Sequence, residues 1–96
     1  MTFLSFEWDE KKNIANQKKH GVSFEEAKSV FFDEQGLLLE DPQPLHEEER
    51  FVLLGLSVSL RLLVVVHAVR EEDVIRIISA RRATRLETRE YEIRLR

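Results

Sequence analysis

The chain has no cysteine, two prolines, three glycines and a single methionine, tryptophan and tyrosine, and each shortage closes off something. Without cysteine there is no disulfide, no thiolate nucleophile and no thiolate ligand, which suits a reducing compartment. Glycines this few and scattered cannot build a phosphate-cradling loop. No Gly-x-Ser-x-Gly elbow exists for a serine hydrolase. His20, His46 and His67 lack helical ligand spacing and nothing matches HExxH or an EF-hand loop, so the expectation is no metal and no cofactor. Long apolar runs are missing too: the longest, Leu62 to Val66, is far too short to span a bilayer, and the N-terminus has no basic segment leading into an apolar one. These features predict a soluble, cytoplasmic protein with no membrane partner.

What is present is the composition of a folded domain, 34% charged and 43% hydrophobic over 96 residues, enough for one domain spanning 1–96 with one core. The net charge of −3 argues against indiscriminate nucleic-acid binding. Its distribution is uneven. All five lysines lie at or before Lys28, all ten arginines lie from Arg50 onward, and every ionised side chain from Asp33 to Glu49 is acidic. A local basic surface can persist on such a chain, because charges more than about 8 Å apart across solvent are largely screened.

The densest local signals lie between Phe6 and Ala27. A strand-like run (Phe3, Leu4, Phe6, Trp8) meets Asp9, whose carboxylate is placed to cap a helix starting at residue 10. Lys18, Lys19 and His20 crowd the last turn of that helix, where the dipole favours cations, and Gly21 follows as a left-handed C-cap. Ser23 opens a capping box with Glu26, flanked by the staple positions Val22 and Ala27, predicting a second helix from Phe24 to about Glu34. Gly36 then punctuates, and LLLED reads as a short strand stopping before Pro42 and Pro44. DPQPLHEEE is expected to be an extended, exposed loop. Arg50 to Ser57, Arg61 to Arg70 and Val74 to Ala80 read as an antiparallel meander, and a capping box of Thr84 with Glu87 opens a basic C-terminal helix.

The wording FEWD, KHGVSFEEA, EERF, GLS, RLLVVV and IRIISAR resembles, in order and over nearly the whole chain, the BrnT family of small toxins from bacterial type II toxin–antitoxin operons. The resemblance implies a RelE-like α+β fold: a small antiparallel sheet packed with two N-terminal helices and one C-terminal helix. It also implies an endoribonuclease that inhibits translation and is neutralised by a BrnA-like ribbon-helix-helix antitoxin in a 2:2 complex. DNA would be touched only through that antitoxin. Glu47 to Glu49 and the apolar sheet edges are candidate antitoxin contacts.

If the turns set Leu53 opposite Val65 and Ala68 opposite Arg76, strand alternation puts Arg50, Val52, Leu54, Val64, Val66, Ala68, Arg70, Arg76 and Ile78 on one face. The other face then carries Phe51, Leu53, Arg61, Leu63, Val65, His67, Ile75 and Ile77. Arg50 and Arg76 would flank the small Ala68 about 10 Å apart, a cradle for a phosphate. Cleaving RNA by internal transfer needs a proton acceptor for the 2′-OH, stabilisation of the phosphorane-like state and a proton donor for the leaving oxygen, with no metal required.

Arg50, Arg76 and Arg81 are the candidates for the middle role, since the guanidinium fork matches phosphate oxygens; each could equally be a solvated arginine paired with a carboxylate. His20 is the candidate acid or base, with helix capping as the plainer account. Lys18, Lys19, Arg61 and Tyr91 complete the expected RNA-gripping set, although Tyr91 suits a core anchor with its hydroxyl at the rim. His67 reads as a core histidine, and His46 as decoration of the acidic loop. The competing function is a non-catalytic binding module or co-repressor whose arginines hold a partner's acidic side chains.

Overall fold

A computed structural model describes residues 4–41, 49–71 and 73–95. β1 (Ser5–Glu7) leads into α1 (Glu10–His20), then α2 (Phe24–Ser29), a 3-10 turn (Val30–Phe32), β2 (Leu37–Leu39), β3 (Phe51–Leu56), β4 (Leu62–Arg70), β5 (Val74–Arg82) and α3 (Arg85–Arg94). The helix ends follow the local chemistry. Asp9 accepts from Lys11 N at 2.8 Å, and Gly21 closes α1 at φ 68°, donating to Gln17 O at 2.9 Å. Thr84 and Glu87 form the full reciprocal box at the start of α3.

The second helix is shorter than its periodicity predicts. Asp33 accepts from Gln35 N at 2.9 Å and from Leu56 N at 2.8 Å, and this local turn draws the backbone out of the helix after the 3-10 segment. Only half of the expected box at Ser23 forms. Its hydroxyl accepts from Glu26 N at 3.0 Å, whereas the Glu26 carboxylate accepts from Ser57 Oγ at 2.7 Å and Arg61 Nε at 2.9 Å.

The sheet order is β1-β5-β4-β3-β2, and β1 runs parallel to β5, so the expected all-antiparallel sheet is a mixed one. The connection between this parallel pair is long, running through α1, α2 and the strands β2 to β4. The register of the meander is as read: Leu53 pairs with Val65 and Ala68 with Arg76. A bulge corrects one part of it. His67 pairs with Ile77 but Val66 pairs with Ser79, which takes Ile78 out of the ladder. Beyond it the alternation flips, so Ala80 joins the core while Ser79 and Arg81 turn to the face of Arg76. β5 also continues to Arg82, past the expected end at Ala80.

α1 and α2 cover one face with a core of Val22, Phe24, Ala27, Val30, Leu63, Val65, Ile75, Ile77 and Ala80. Fully burying a side chain such as Phe24 contributes about 2 to 3 kcal/mol. α3 covers part of the other face through Tyr91, which packs with Val52, Leu54 and Val64. Two buried asparagines tie α1 down. Asn16 donates to Val22 O and Ala80 O and accepts from Ala80 N, and Asn13 accepts from Phe24 N. The loop expected over DPQPLHEEE, with His46, falls mostly on residues outside the described set. Among the described residues no helix is long and apolar enough to cross a membrane.

Candidate functional site

Ala68 and Arg76 stand opposite each other on β4 and β5, and Arg50 immediately precedes Phe51, which pairs with His67. Continuing that register by one residue brings Arg50 beside Ala68 on the side away from Arg76. Three neighbouring strands thus carry Arg50, Ala68 and Arg76 in a row, with the arginine backbones roughly 10 Å apart at about 4.8 Å per strand. Ala68 is 1% exposed and belongs to neither apolar cluster. Arg50 is half-buried, and its Nε is fully enclosed with no hydrogen-bond partner among the described residues. A buried guanidinium N–H left unmatched by the described residues costs free energy.

Arg81 reaches the same face because of the bulge. Its Nη1 and Nη2 donate to the two carboxylate oxygens of Glu87 at 2.8 and 2.9 Å, a bidentate pair that ties β5 to the first turn of α3. That pair, helped by Thr84, holds the Glu87 carboxyl at about 2 against its partial burial. Parallel pairing places Glu7 opposite Arg76, and Glu7 Oε2 accepts from Arg70 Nη1 at 3.0 Å. A cleft of about 320 Å³ opens there, lined by Glu7, Trp8, Asp9, Arg70 and Arg76.

The remaining candidates lie elsewhere. Asn16 fixes α1 to Ala80 near the C-terminal end of β5, and Arg61 Nη2 donates to Gly21 O at 3.0 Å. These ties place Lys18, Lys19 and His20 near Arg61, over the α1–α2 face. Arg76 and Arg82 are six positions apart on β5, roughly 20 Å of rise at about 3.3 Å per residue, so this cluster and the arginine row sit at opposite ends of the sheet. Arg61 is an ion-pair partner of Glu26, and its hydrogen bonds hold the Glu26 carboxyl below its ordinary range despite burial. Tyr91 is 7% exposed with its hydroxyl on Asp33, the core-anchor arrangement. His67 is buried between Phe31 and Phe51, ring centroids 4.7 and 5.9 Å away, and burial pushes its pKa down.

Sequence reasoning missed the cleft around Glu7, Trp8 and Asp9. FEWD is legible as a strand end and a helix cap, but Arg70 and Arg76 come from strands more than 60 positions away. Among the described residues, no group of three or more His, Asp or Glu side chains is arranged to hold a metal ion.

Residues 8–87 match the family described as "Ribonuclease toxin, BrnT, of type II toxin-antitoxin system". The crystal structure of the Brucella abortus ribonuclease toxin BrnT superposes with a TM-score of 0.66 at 20% identity, covering 86% of this chain and 100% of that one. At that identity the likeness speaks for the fold alone. A search of curated protein sequences returned no match.

Proposed function

The chain belongs to the BrnT ribonuclease toxins of type II toxin–antitoxin systems, and from that premise we propose that it is a metal-independent endoribonuclease with a RelE-like architecture that cuts RNA and thereby inhibits translation. The observation that carries the site is the row of Arg50, Ala68 and Arg76, with the enclosed Nε of Arg50 unmatched by any acceptor among the described residues. In this reading the scissile phosphate is held between the side chains of Arg50 and Arg76, outside the buried Ala68 that separates them. The 2′-oxygen attacks phosphorus and loses its proton to a base. The P–O5′ bond breaks and the leaving oxygen takes a proton, giving a 2′,3′-cyclic phosphate and a 5′-hydroxyl. Arg50 and Arg76 hold the non-bridging oxygens as negative charge builds, a role that fixed guanidinium groups serve without reorganising.

Arg81, on the same face but four β4 positions from Ala68, meets a different phosphate of the strand by exchanging Glu87 for it. Lys18, Lys19 and His20, with Arg61 beside them, form a second cationic surface that meets a different part of the RNA, where His20 is available for proton transfer. Tyr91 contributes by seating α3 against the sheet. The proposed partner is a BrnA-like ribbon-helix-helix antitoxin in a 2:2 complex in the cytoplasm, and DNA is contacted through that antitoxin.

The test is incubation of the antitoxin-free protein with total RNA in EDTA, beside Arg50→Ala and Arg76→Ala. Fragments from the wild type, with a loss of 100-fold or more in variants whose melting temperature is unchanged, are the expected result, about the size of removing one transition-state donor. Intact RNA with a well-folded protein would replace the enzyme with a binding module. Undiminished cleavage by both variants would keep the enzyme and reject the cradle.

A further inference from the structure

The cleft beyond Arg76 has a composition that the phosphate cradle does not need. Its about 320 Å³ sits at the small end of ligand pockets, which run from about 300 to 1,000 Å³. Trp8 contributes to the lining, its half-buried indole held edge-to-face against Phe24 with centroids 6.1 Å apart and pinned by donation from Nε1 to Glu10 Oε2 at 3.1 Å. Asp9 spends Oδ1 on the cap of α1, accepting from Lys11 N at 2.8 Å, while its Oδ2 has no hydrogen-bond partner among the described residues. Glu7 is oriented by Arg70, and Arg70 and Arg76 offset the two carboxylates.

We infer that this cleft is a base-recognition subsite for a guanine of single-stranded RNA, one step along the strand from the phosphate held between Arg50 and Arg76. The inference rests on the ribonuclease reading above. Single-stranded bases are recognised by stacking on an aromatic wall and by hydrogen bonds along the Watson–Crick edge. Carboxylates only accept, so they select an edge that donates. Guanine presents N1–H and the N2 amino group side by side, a spacing that meets both oxygens of one carboxylate. Adenine and cytosine offer one exocyclic amino group each, and uracil a single imide N–H between two repelling carbonyls. The Asp9 carboxylate takes that guanine edge, Oδ2 with both lone pairs open and Oδ1 with the lone pair that Lys11 N leaves, and the Arg70 and Arg76 guanidinium groups face the acceptor edge and the adjoining phosphate.

Trp8 is the chain's single tryptophan, so its fluorescence reports on this cleft. The probes are 2′-O-methyl oligouridylates, which cannot be cut, carrying one central guanosine, inosine or adenosine. Cut positions are mapped in parallel on an unmodified RNA containing all four bases. Asp9→Asn is the variant of choice, because asparagine caps helices as well as aspartate and so preserves α1. The guanosine probe should shift the fluorescence at a concentration about tenfold or more below that needed for inosine, which lacks the amino group, or adenosine. Cuts should cluster beside guanosine, and Asp9→Asn should lose the preference while still cutting RNA. Equal response to the three probes, cuts spread evenly over the bases, or a preference that survives Asp9→Asn would overturn the subsite and leave the ribonuclease standing. A folded protein that cuts no RNA at all would remove the parent reading and the subsite with it.

Discussion

The hydroxyl of Tyr91 donates to Asp33 Oδ2 at 2.6 Å across 58 positions of sequence, and the same oxygen accepts from Leu56 N at 2.8 Å. One carboxylate therefore joins the end of the 3-10 turn, the edge of β3 and the buried side of α3. Burial alone would raise the Asp33 pKa, but the hydrogen bonds from Tyr91, Leu56 and Gln35 outweigh it and hold the group ionised below its ordinary range. Burial and the Asp33 charge in turn push the Tyr91 phenol up to about 12.

Tyr91→Phe should therefore destabilise the fold by about 1.5 to 3 kcal/mol, the range for a hydrogen bond to a charged group. It should also change the alkaline behaviour. An unfolded tyrosine releases its proton near 10 while the folded one keeps it to about 12, so wild-type stability falls as pH rises through that window. Thermal melts from pH 8 to 12 check this; a phenylalanine variant with the same alkaline slope as wild type would refute the linkage.

Acid should act through Glu87 and Glu26. Their folded pKa values are depressed, Glu87 to about 2 from an ordinary 4.5, so the stability they add is complete above the ordinary value and drains away as pH falls toward the folded one. Glu87→Gln should flatten the melting temperature between about pH 4.5 and pH 2 while lowering it at pH 7. Equal slopes in the two proteins would show that the Arg81 pair contributes nothing to folding.

Burial lowers the folded pKa of His67 from 6.5, so the unfolded chain takes up that proton first and stability declines as pH drops below 6.5. His67→Phe keeps an aromatic ring between Phe31 and Phe51 and has nothing to protonate. The variant should hold its stability between pH 6.5 and 5, where the wild type loses some, as urea titrations at fixed pH would reveal.

Leu60 sits in the β3–β4 turn at φ 62°, 79% exposed, a conformation that suits glycine. Leu60→Gly should raise stability by roughly 0.5 to 1 kcal/mol, since the relieved strain exceeds the added entropy of the unfolded chain. Gly55→Ala should do the reverse. A Cβ there would lie 2.7 Å from Val30 Cγ1 and 3.3 Å from Asp33 Oδ2, and overpacking of this kind costs about 1 to 3 kcal/mol. Paired denaturant melts settle both signs.

The strand register behind the candidate site was legible in the sequence. The strand alternation of RFVLLGL and RLLVVVHAVR, with a turn between, set the register that brings Arg50, Ala68 and Arg76 together, even though that turn holds no glycine and is closed by a left-handed leucine. The bulge at Ile78 was not legible, because IRIISARR alternates as well without it; the need to bury Ala80 against α1 while keeping Ile77 in the same core selects it.

The sequence by itself determined the starts of the three helices, the end of α1, the pairing of β3 with β4 and β4 with β5, and the family, because caps, staples and two-residue alternation act over a few neighbouring positions. Only the tertiary structure decided which charges meet. Glu26 left its local cap for Arg61, 35 positions on, Arg81 was turned onto the arginine face by one extra residue in β5, and Glu7, Trp8 and Asp9 acquired Arg70 and Arg76 through a parallel pairing. Partners this distant are chosen by the packing of the whole sheet, which no local pattern encodes.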